Sequence, residues 1–522
     1  MWEIKYNSVY SLFFEYQGQS FHRKSYKVLV NGKIYHEKLT VNSFSIFQTL
    51  NGKVHVQIIN EKSEHEFDEI ISLEDKNYYL NVNTFLKHLD NEEDHTQAIQ
   101  ALILSVPDNT SLFFPARKYN ITSLFLRSNL KLIFEEAAIF NILTQDKKFP
   151  VLPDIIENKN FSQREIISTW EGNPQDCHSS IISGYYLKNV ELIGPLKIEA
   201  NASKENWWKN VKQKKIAWRP KTLYFNQCEN IKIHGLKIYN SPSWSIHPFY
   251  SQNIKIFDTF IFNPADSPNT DGINPESCQN IEINGATFDV GDDCIAIKSG
   301  KIYQSKYHNQ ACEDILIKNC KMEHGHGAIV LGSEISSGVK RLKIENCLFN
   351  QTDRGLRVKT RRGRGEKSVI DDIQLTNIEM IDVKAAFTIN AYYNCDPDGN
   401  SDYVASQEER EVDERTPFLG QFYFKNISCK NLQQVVCMAY GLKEQPIESI
   451  TIENSLFEFS KEESPGYPLM MREAKKVSRV AYKFLNVNKV KVKNNQYINV
   501  NSKNKEFKNV ESLEELNDEY CR

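Results

Sequence analysis

The sequence predicts an all-β protein, a parallel β-helix preceded by a small β-sandwich, and three observations carry that prediction. First, a short motif recurs: an Asn or Asp, then alternating apolar residues, then an Asn or Gly near the turn. Copies are NVELIG from Asn189, NIKIHG from Asn230, NIKIFD from Asn253 and NIEING from Asn280. Looser copies follow as DILIKN from Asp314, RLKIEN from Arg341, DIQLTN from Asp372 and SITIEN from Ser449. Between Asn230 and Asp372 successive starts lie 23, 27, 34, 27 and 31 residues apart, within the range of solenoid coils. Second, each copy is a period-two strand too short to bury its inner face alone, so it must stack on its neighbours. Third, the amphipathic helices that an α/β sandwich needs between its strands are missing. A chain of 522 residues is too long for one ordinary compact core, and an elongated repeat accommodates it.

Taken in order, residues 1–80 form the predicted sandwich, and the β-helix occupies 81–522. The first segment alternates at Tyr26-Val28-Val30 and Val54-Val56-Ile58, with Asn31-Gly32 and Asn51-Gly52 as hairpin-type turns. Thr96 to Gln100 then belong to a helix that caps the solenoid. The 11 cysteines are odd in number, and Cys228, Cys278 and Cys312 each precede a strand by about two residues. That placement predicts small side chains stacked in a core rather than disulfides. No CxxC pair is present, so no structural metal and no cofactor are expected. The segment between Ala391 and Pro417 exceeds ordinary loop length and is expected to have a function.

The net charge of -3 argues against a generic polyanion binder, so any grip on an acidic ligand must be local. Lys340, Arg341, Lys343, Arg354, Arg357, Lys359, Arg361, Arg362, Arg364 and Lys367 concentrate positive charge, and most of them read as a solvated basic face. No aromatic stacking pattern accompanies the RRGRG run, which excludes nucleic acid as the expected partner. No apolar stretch reaches the length of a membrane span. The start, MWEIKYNSVYSLFFEYQG, lacks the pattern of a signal peptide, so a cytoplasmic location is expected unless a leader has been removed. The oligomeric state is not encoded in any feature of the sequence.

Four stretches point to chemistry: Asn269-Thr270-Asp271-Gly272, Gly291-Asp292-Asp293, Gly325-His326-Gly327 and Arg357-Val358-Lys359-Thr360. They lie about one coil apart, and equivalent places on neighbouring coils are about 4.8 Å apart, so they can line one groove. Hydrolysis of a glycosidic bond needs one carboxyl to protonate the leaving oxygen and another to deprotonate the attacking water. Three carboxylates in one groove repel, which favours keeping one protonated near neutral pH. Arg357 and Lys359 alternate on a strand, face one side and suit a substrate carboxylate. The rival reading of that pair is a structural salt bridge. His326 between glycines is otherwise an ordinary loop histidine.

The order and wording of these stretches resemble glycoside hydrolase family 28, the polygalacturonases. The resemblance takes in Arg219-Pro220, Asn240-Ser241-Pro242-Ser243-Trp244, His247-Pro248, the run SPNTDGINPESCQNIEINGATFDVGDDCIAIKSG from Ser267, then HGHGAIVLGSE, GLRVKTRRGRG and Thr416-Pro417. It spans roughly residues 80 to 500. VLPD from Val151, WEGNP from Trp170 and HPF from His247 are most like the bacterial exo-acting branch.

The resemblance implies a right-handed, pectin-lyase-like β-helix, and a fibronectin type III-like module at the N-terminus. The implied activity is cleavage of α-1,4-galacturonosidic bonds with inversion, probing chain ends of pectin-derived galacturonate oligomers. Asp292 is the implied general acid, with Asp271 and Asp293 holding and deprotonating water. His326 would orient or tune the acid and Asn269 would support the groove by hydrogen bonding; Tyr392 or Tyr393 is a candidate to stack on a sugar, with no family motif fixing either. The segment 391–417 would wall off one end. Endo-acting and rhamnogalacturonan-type hydrolases are the nearest alternatives, and a non-catalytic polysaccharide-binding β-helix is the alternative of a different class. Two places depart from the pattern: the glycine-rich start of the helix is lost, and the coil at Gly194 reads GPLKIEAN.

Overall fold

The computed structural model describes the chain apart from residues 9, 19–23, 48–51, 74–77, 87–88, 90–92, 109, 159–162, 502–504 and 522. At the N-terminus two antiparallel sheets face each other. One contains Trp2–Asn7, Ser11–Tyr16 and Ser43–Phe47; the other runs Lys33–Leu39, Tyr26–Val30, Gly52–Asn60, His65–Leu73 across the sheet. The third and fourth strands join the second sheet before the fifth returns to the first, which is the fibronectin type III order. Trp2 anchors the core, with Tyr16, Tyr26 and Phe44 edge-on at 5.4, 5.4 and 5.3 Å. Asn31 and Gly32 both have positive φ, 50° and 76°, as the twist-matched two-residue hairpin requires. Asn51, in the second expected turn, lies outside the described residues.

Antiparallel pairing in this region ends with His65–Leu73, and parallel pairing begins with Tyr78–Asn81. The helix Thr96–Ser105 buries Ile99, Leu102 and Ile103 at the start of the solenoid core. All eight motif copies then stack in register on one sheet. Val190, Ile231, Ile254, Ile281, Ile315, Leu342, Ile373, Phe422 and Ile450 are successive partners. Phe422 belongs to a coil absent from the predicted set, QFYFKN, whose aromatics replace the usual isoleucines.

The residue opening each motif has a structural job. Asn189, Asn230, Asn253, Asn280, Asp314, Arg341 and Asp372 all sit at φ between 53° and 59°, a region Asn and Asp tolerate better than most residues. The asparagines also bond side chain to side chain along the stack, from Asn129 to Asn189, Asn230, Asn253 and Asn280, at 2.9, 2.9, 3.1 and 2.7 Å. The altered coil at Gly194 keeps its place: Lys197–Glu199 pairs with both neighbouring coils. Cys228, Cys278 and Cys312 are buried free thiols.

The expected solvated basic face is corrected by the structure. Arg361, Arg362 and Arg364 are buried, paired with Asp396 and Asp398, with Glu444, and with Asp396 respectively. They pin the segment 391–417 to the solenoid. A buried cation needs a carboxylate partner; the segment supplies it to Arg361 and Arg364, while Glu444 supplies it to Arg362 and the segment adds backbone carbonyls there.

Candidate active site

The site is a set of rows on one wall of the solenoid. Ile246, Ile273, Ile295, Ile329 and Leu356 stack inward on successive coils. Two residues before three of these inward residues stand Asp271, Asp293 and Gly327, so the two carboxylates and the glycine occupy equivalent places. A Cβ on Gly327 would come within 2.5 Å of Val330 Cγ2 on the next row, so the second glycine of GHG lets the coil lie close beside that floor residue. One residue after the inward position stand Asn274, Ala296, Val330 and Arg357; the small apolar members leave a floor between polar ends.

Asp271 and Asp293 have side chains only 5% and 4% exposed, whereas Asp292 is 25% exposed and faces the opening. Asp271 Oδ2 accepts a hydrogen bond from Asn274 Nδ2 at 2.7 Å and lies 3.6 Å from Lys298 Nζ. Lys298 also reaches Glu334 at 3.5 Å and sits 4.1 Å over the Trp244 ring. Asp293 Oδ2 accepts from Lys359 Nζ at 2.8 Å, while its buried Oδ1 has no hydrogen-bond partner. His326 Nδ1 is 3.2 Å from Asp292 Oδ1. Asn269 Oδ1 accepts from Arg219 Nη2 at 2.6 Å, which fixes the turn carrying Asp271.

These environments push the carboxyls apart. Burial, followed by repulsion from Asp292, raises Asp271 to about 7. Asp293 is also buried, yet Lys359 and Arg357 hold it down at about 2. Glu334 is likewise depressed to about 2, with Lys298, Lys301 and Lys359 overcoming its burial. The hydrogen bond to Asp292 raises His326 and favours its protonated form. Asp271 therefore keeps its proton close to neutral pH, and Asp293 stays ionised.

Arg357 and Lys359 do not share one role. Lys359 is committed to Asp293. Among the described residues no carboxylate lies within ion-pair distance of Arg357; its Nη2 meets the Met470 sulfur at 2.9 Å, and its guanidinium lies 5.8 Å from the Tyr393 ring centre. Tyr393 thus backs the cations. Tyr392, the other expected sugar-stacking candidate, is instead core, with its hydroxyl donated to the Gly441 carbonyl at 3.0 Å. Asn274, Lys298, Glu334 and Met470 were not legible as site residues. The first three lie inside the quoted runs, but only the stacking of coils shows that Lys298 and Glu334 meet.

Residues 159–407 match the family model described as glycosyl hydrolases family 28. A probable polygalacturonase of Vitis vinifera is 27% identical over 347 residues, 66% of each chain. The chain spans about half to two thirds of the length of the first curated relatives it matches. Among solved structures, the exopolygalacturonase of Thermotoga maritima matches 81% of this chain and 93% of its own, with TM-score 0.66 and 21% identity. The family 28 exopolygalacturonase of Yersinia enterocolitica matches 100% of this chain and 98% of its own, with TM-score 0.63 and 15% identity. At that identity the two structures speak to the fold, a right-handed parallel β-helix.

Proposed function

Since residues 159–407 belong to glycosyl hydrolase family 28, we propose that the chain hydrolyses α-1,4 bonds between galacturonate units of pectin-derived oligomers, acting from chain ends. The observation that carries this reading is Arg357, a nearly buried guanidinium with no ion-paired carboxylate among the described residues, beside a protonated Asp271 and an ionised Asp293. A uronate carboxylate supplies the missing partner in a two-pronged grip.

In the reaction Asp292, the carboxyl open to the groove and held by His326, donates the proton that the leaving glycosidic oxygen takes up. Asp293, ionised and with a free Oδ1, holds the attacking water and accepts its proton together with Asp271. The C–O bond to the leaving sugar breaks as the C–O bond to water forms on the opposite face, so the anomeric configuration inverts. His326 is a positioning residue that holds Asp292. A cytoplasmic enzyme of this kind would trim oligomers small enough to be imported, and the cytoplasmic location is part of the proposal.

Oligogalacturonides labelled at the reducing end test the reading. The label should remain on chains that shorten stepwise while unlabelled mono- or digalacturonate appears from the start. An early ladder of mid-sized labelled products would show internal cutting and remove the exo assignment. Absence of cleavage would remove the hydrolase reading itself.

A further inference from the structure

A fifth carboxylate, after Asp271, Asp292, Asp293 and Glu334, comes up to the site from outside the rows just described. Thr169–Trp170 and Asn173–Pro174 form a tight hairpin, with Thr169 opposite Pro174 and Trp170 opposite Asn173. Its two tip residues, Glu171 and Gly172, have φ of 48° and 74°, the pair of positive values that a two-residue turn needs. The tip is locked onto the active-site coil. Lys301 N donates to Gly172 O at 2.9 Å, and a Cβ on Gly172 would come within 2.6 Å of Glu334 Cγ. Only glycine fits there.

The hairpin stem is equally fixed. Trp170 stacks parallel to Trp218 at 4.9 Å and to Trp244 at 6.5 Å, and the Arg219 guanidinium lies 5.2 Å from its ring centre. Trp244 in turn carries Lys298, the neighbour of Asp271. From the opposite side the base of the segment 391–417 meets the same point, where Asp396 Oδ1 accepts from Lys301 Nζ at 3.0 Å. Two segments thus converge on Lys301, next to the coil that carries Lys298 and Glu334. Glu171 is exposed at this junction, within electrostatic reach of Glu334, Lys301, Lys298 and Arg219.

We propose that Glu171 reads the chain end: its carboxylate accepts a hydrogen bond from the free 4-hydroxyl of the terminal galacturonate ring. The inference rests on the galacturonate-hydrolase reading and names the group that restricts it to ends. In an α-1,4-linked chain every internal ring has its 4-oxygen in a glycosidic bond, so only the terminal ring can donate there. An internal ring would leave the Glu171 carboxylate without a donor and would push a further uronate against it, which costs binding twice. The cations Lys298, Lys301 and Arg219 keep the local field from repelling the terminal uronate itself.

The test compares trigalacturonate with the trimer whose non-reducing ring is 4,5-unsaturated and lacks the 4-hydroxyl. Glu171→Asn is the informative variant because Asn tolerates the positive φ while withdrawing the carboxylate. On trigalacturonate the variant should lose about 10- to 100-fold in kcat/KM, the worth of a hydrogen bond to a charged group, with the melting temperature unchanged. The wild type should lose a similar factor on the unsaturated trimer, and the variant should lose nothing more. Equal losses on both trimers, or no loss on either, would overturn the role of Glu171 and leave the hydrolase reading standing. A wild type inactive on both would overturn that reading and this inference with it.

Discussion

The acid of this site can be identified by substitution, because the three carboxyls differ in environment. Asp292→Asn should lower kcat by several orders of magnitude while substrate binding stays nearly intact, since the proton is needed only in the transition state. Near-normal turnover on unactivated oligomers would sink the assignment. The pH profile follows from the same pair. Burial and the Asp292 charge place Asp271 at about 7, so the site loses a proton as pH rises through that region and kcat/KM should fall there. Lys298 pulls Asp271 downward, so Lys298→Met should move this alkaline limb to higher pH; an unmoved limb would separate Asp271 from the working proton. Arg357→Gln should impair use of galacturonate oligomers far more than stability, because no carboxylate among the described residues is ion-paired with it and Lys359 stays on Asp293. A melting temperature that collapses in step with activity would instead mean a structural cation. At this scale the aspartates were legible because each sits in a compact word of sequence. Lys298 and Glu334 were not, since 36 residues separate them and only coil stacking brings them to 3.5 Å.

The coil is the next unit, and its opening asparagine can be weighed. Asn253 bonds Asn230 and Asn280 at 3.1 and 2.7 Å and holds φ at 56°. Asn253→Ala loses both ladder bonds and the polar side chain that lets asparagine tolerate this left-handed conformation, a cost of about 1–3 kcal/mol. Asn253→Gly loses the bonds but not the conformation, so it should be the milder change in urea denaturation. Equal losses would show that backbone strain plays no part. The period of the repeat made eight coils legible, because isoleucine and valine at alternate positions mark an inward face. QFYFKN escaped because aromatic residues fill the same inward places. The hairpin at Trp170 and the segment around Met470 escaped for a different reason: they are excursions from the repeat, and nothing periodic says where an excursion lands. The basic run 354–367 misled in the same way, since the acids that bury Arg361, Arg362 and Arg364 arrive on a distant segment.

At the scale of the whole molecule, the N-terminal sandwich is docked on the solenoid through a buried contact of aromatic and polar side chains. Phe13 stacks on Phe257 at 4.9 Å, and Glu15 meets Lys318 at 3.0 Å. His234 lies fully buried between the two, its Nε2 and Nδ1 at 2.7 and 3.2 Å from Ser45 Oγ and Ser11 Oγ. Alternation showed that the sandwich would form, but not where it would sit, because docking depends on outward-facing residues that periodicity treats as surface. The consequence is one cooperative unit with a histidine that must stay neutral. Burial, then the nearby Lys232 charge, lowers His234 from 6.5 to about 3. Above the unfolded value both states are neutral and the full stability is present. As pH falls below 6.5 the unfolded chain takes up a proton that the folded protein refuses, so stability declines by up to about 1.4 kcal/mol per pH unit until the folded value is reached. Calorimetry should show one transition for module and solenoid together, moving to lower temperature as the pH is taken from 7 toward 5. In His234→Gln, which cannot titrate, that part of the slope should vanish. Two separate transitions, or an acid slope identical in the variant, would mean that the module does not unfold with the solenoid through this contact.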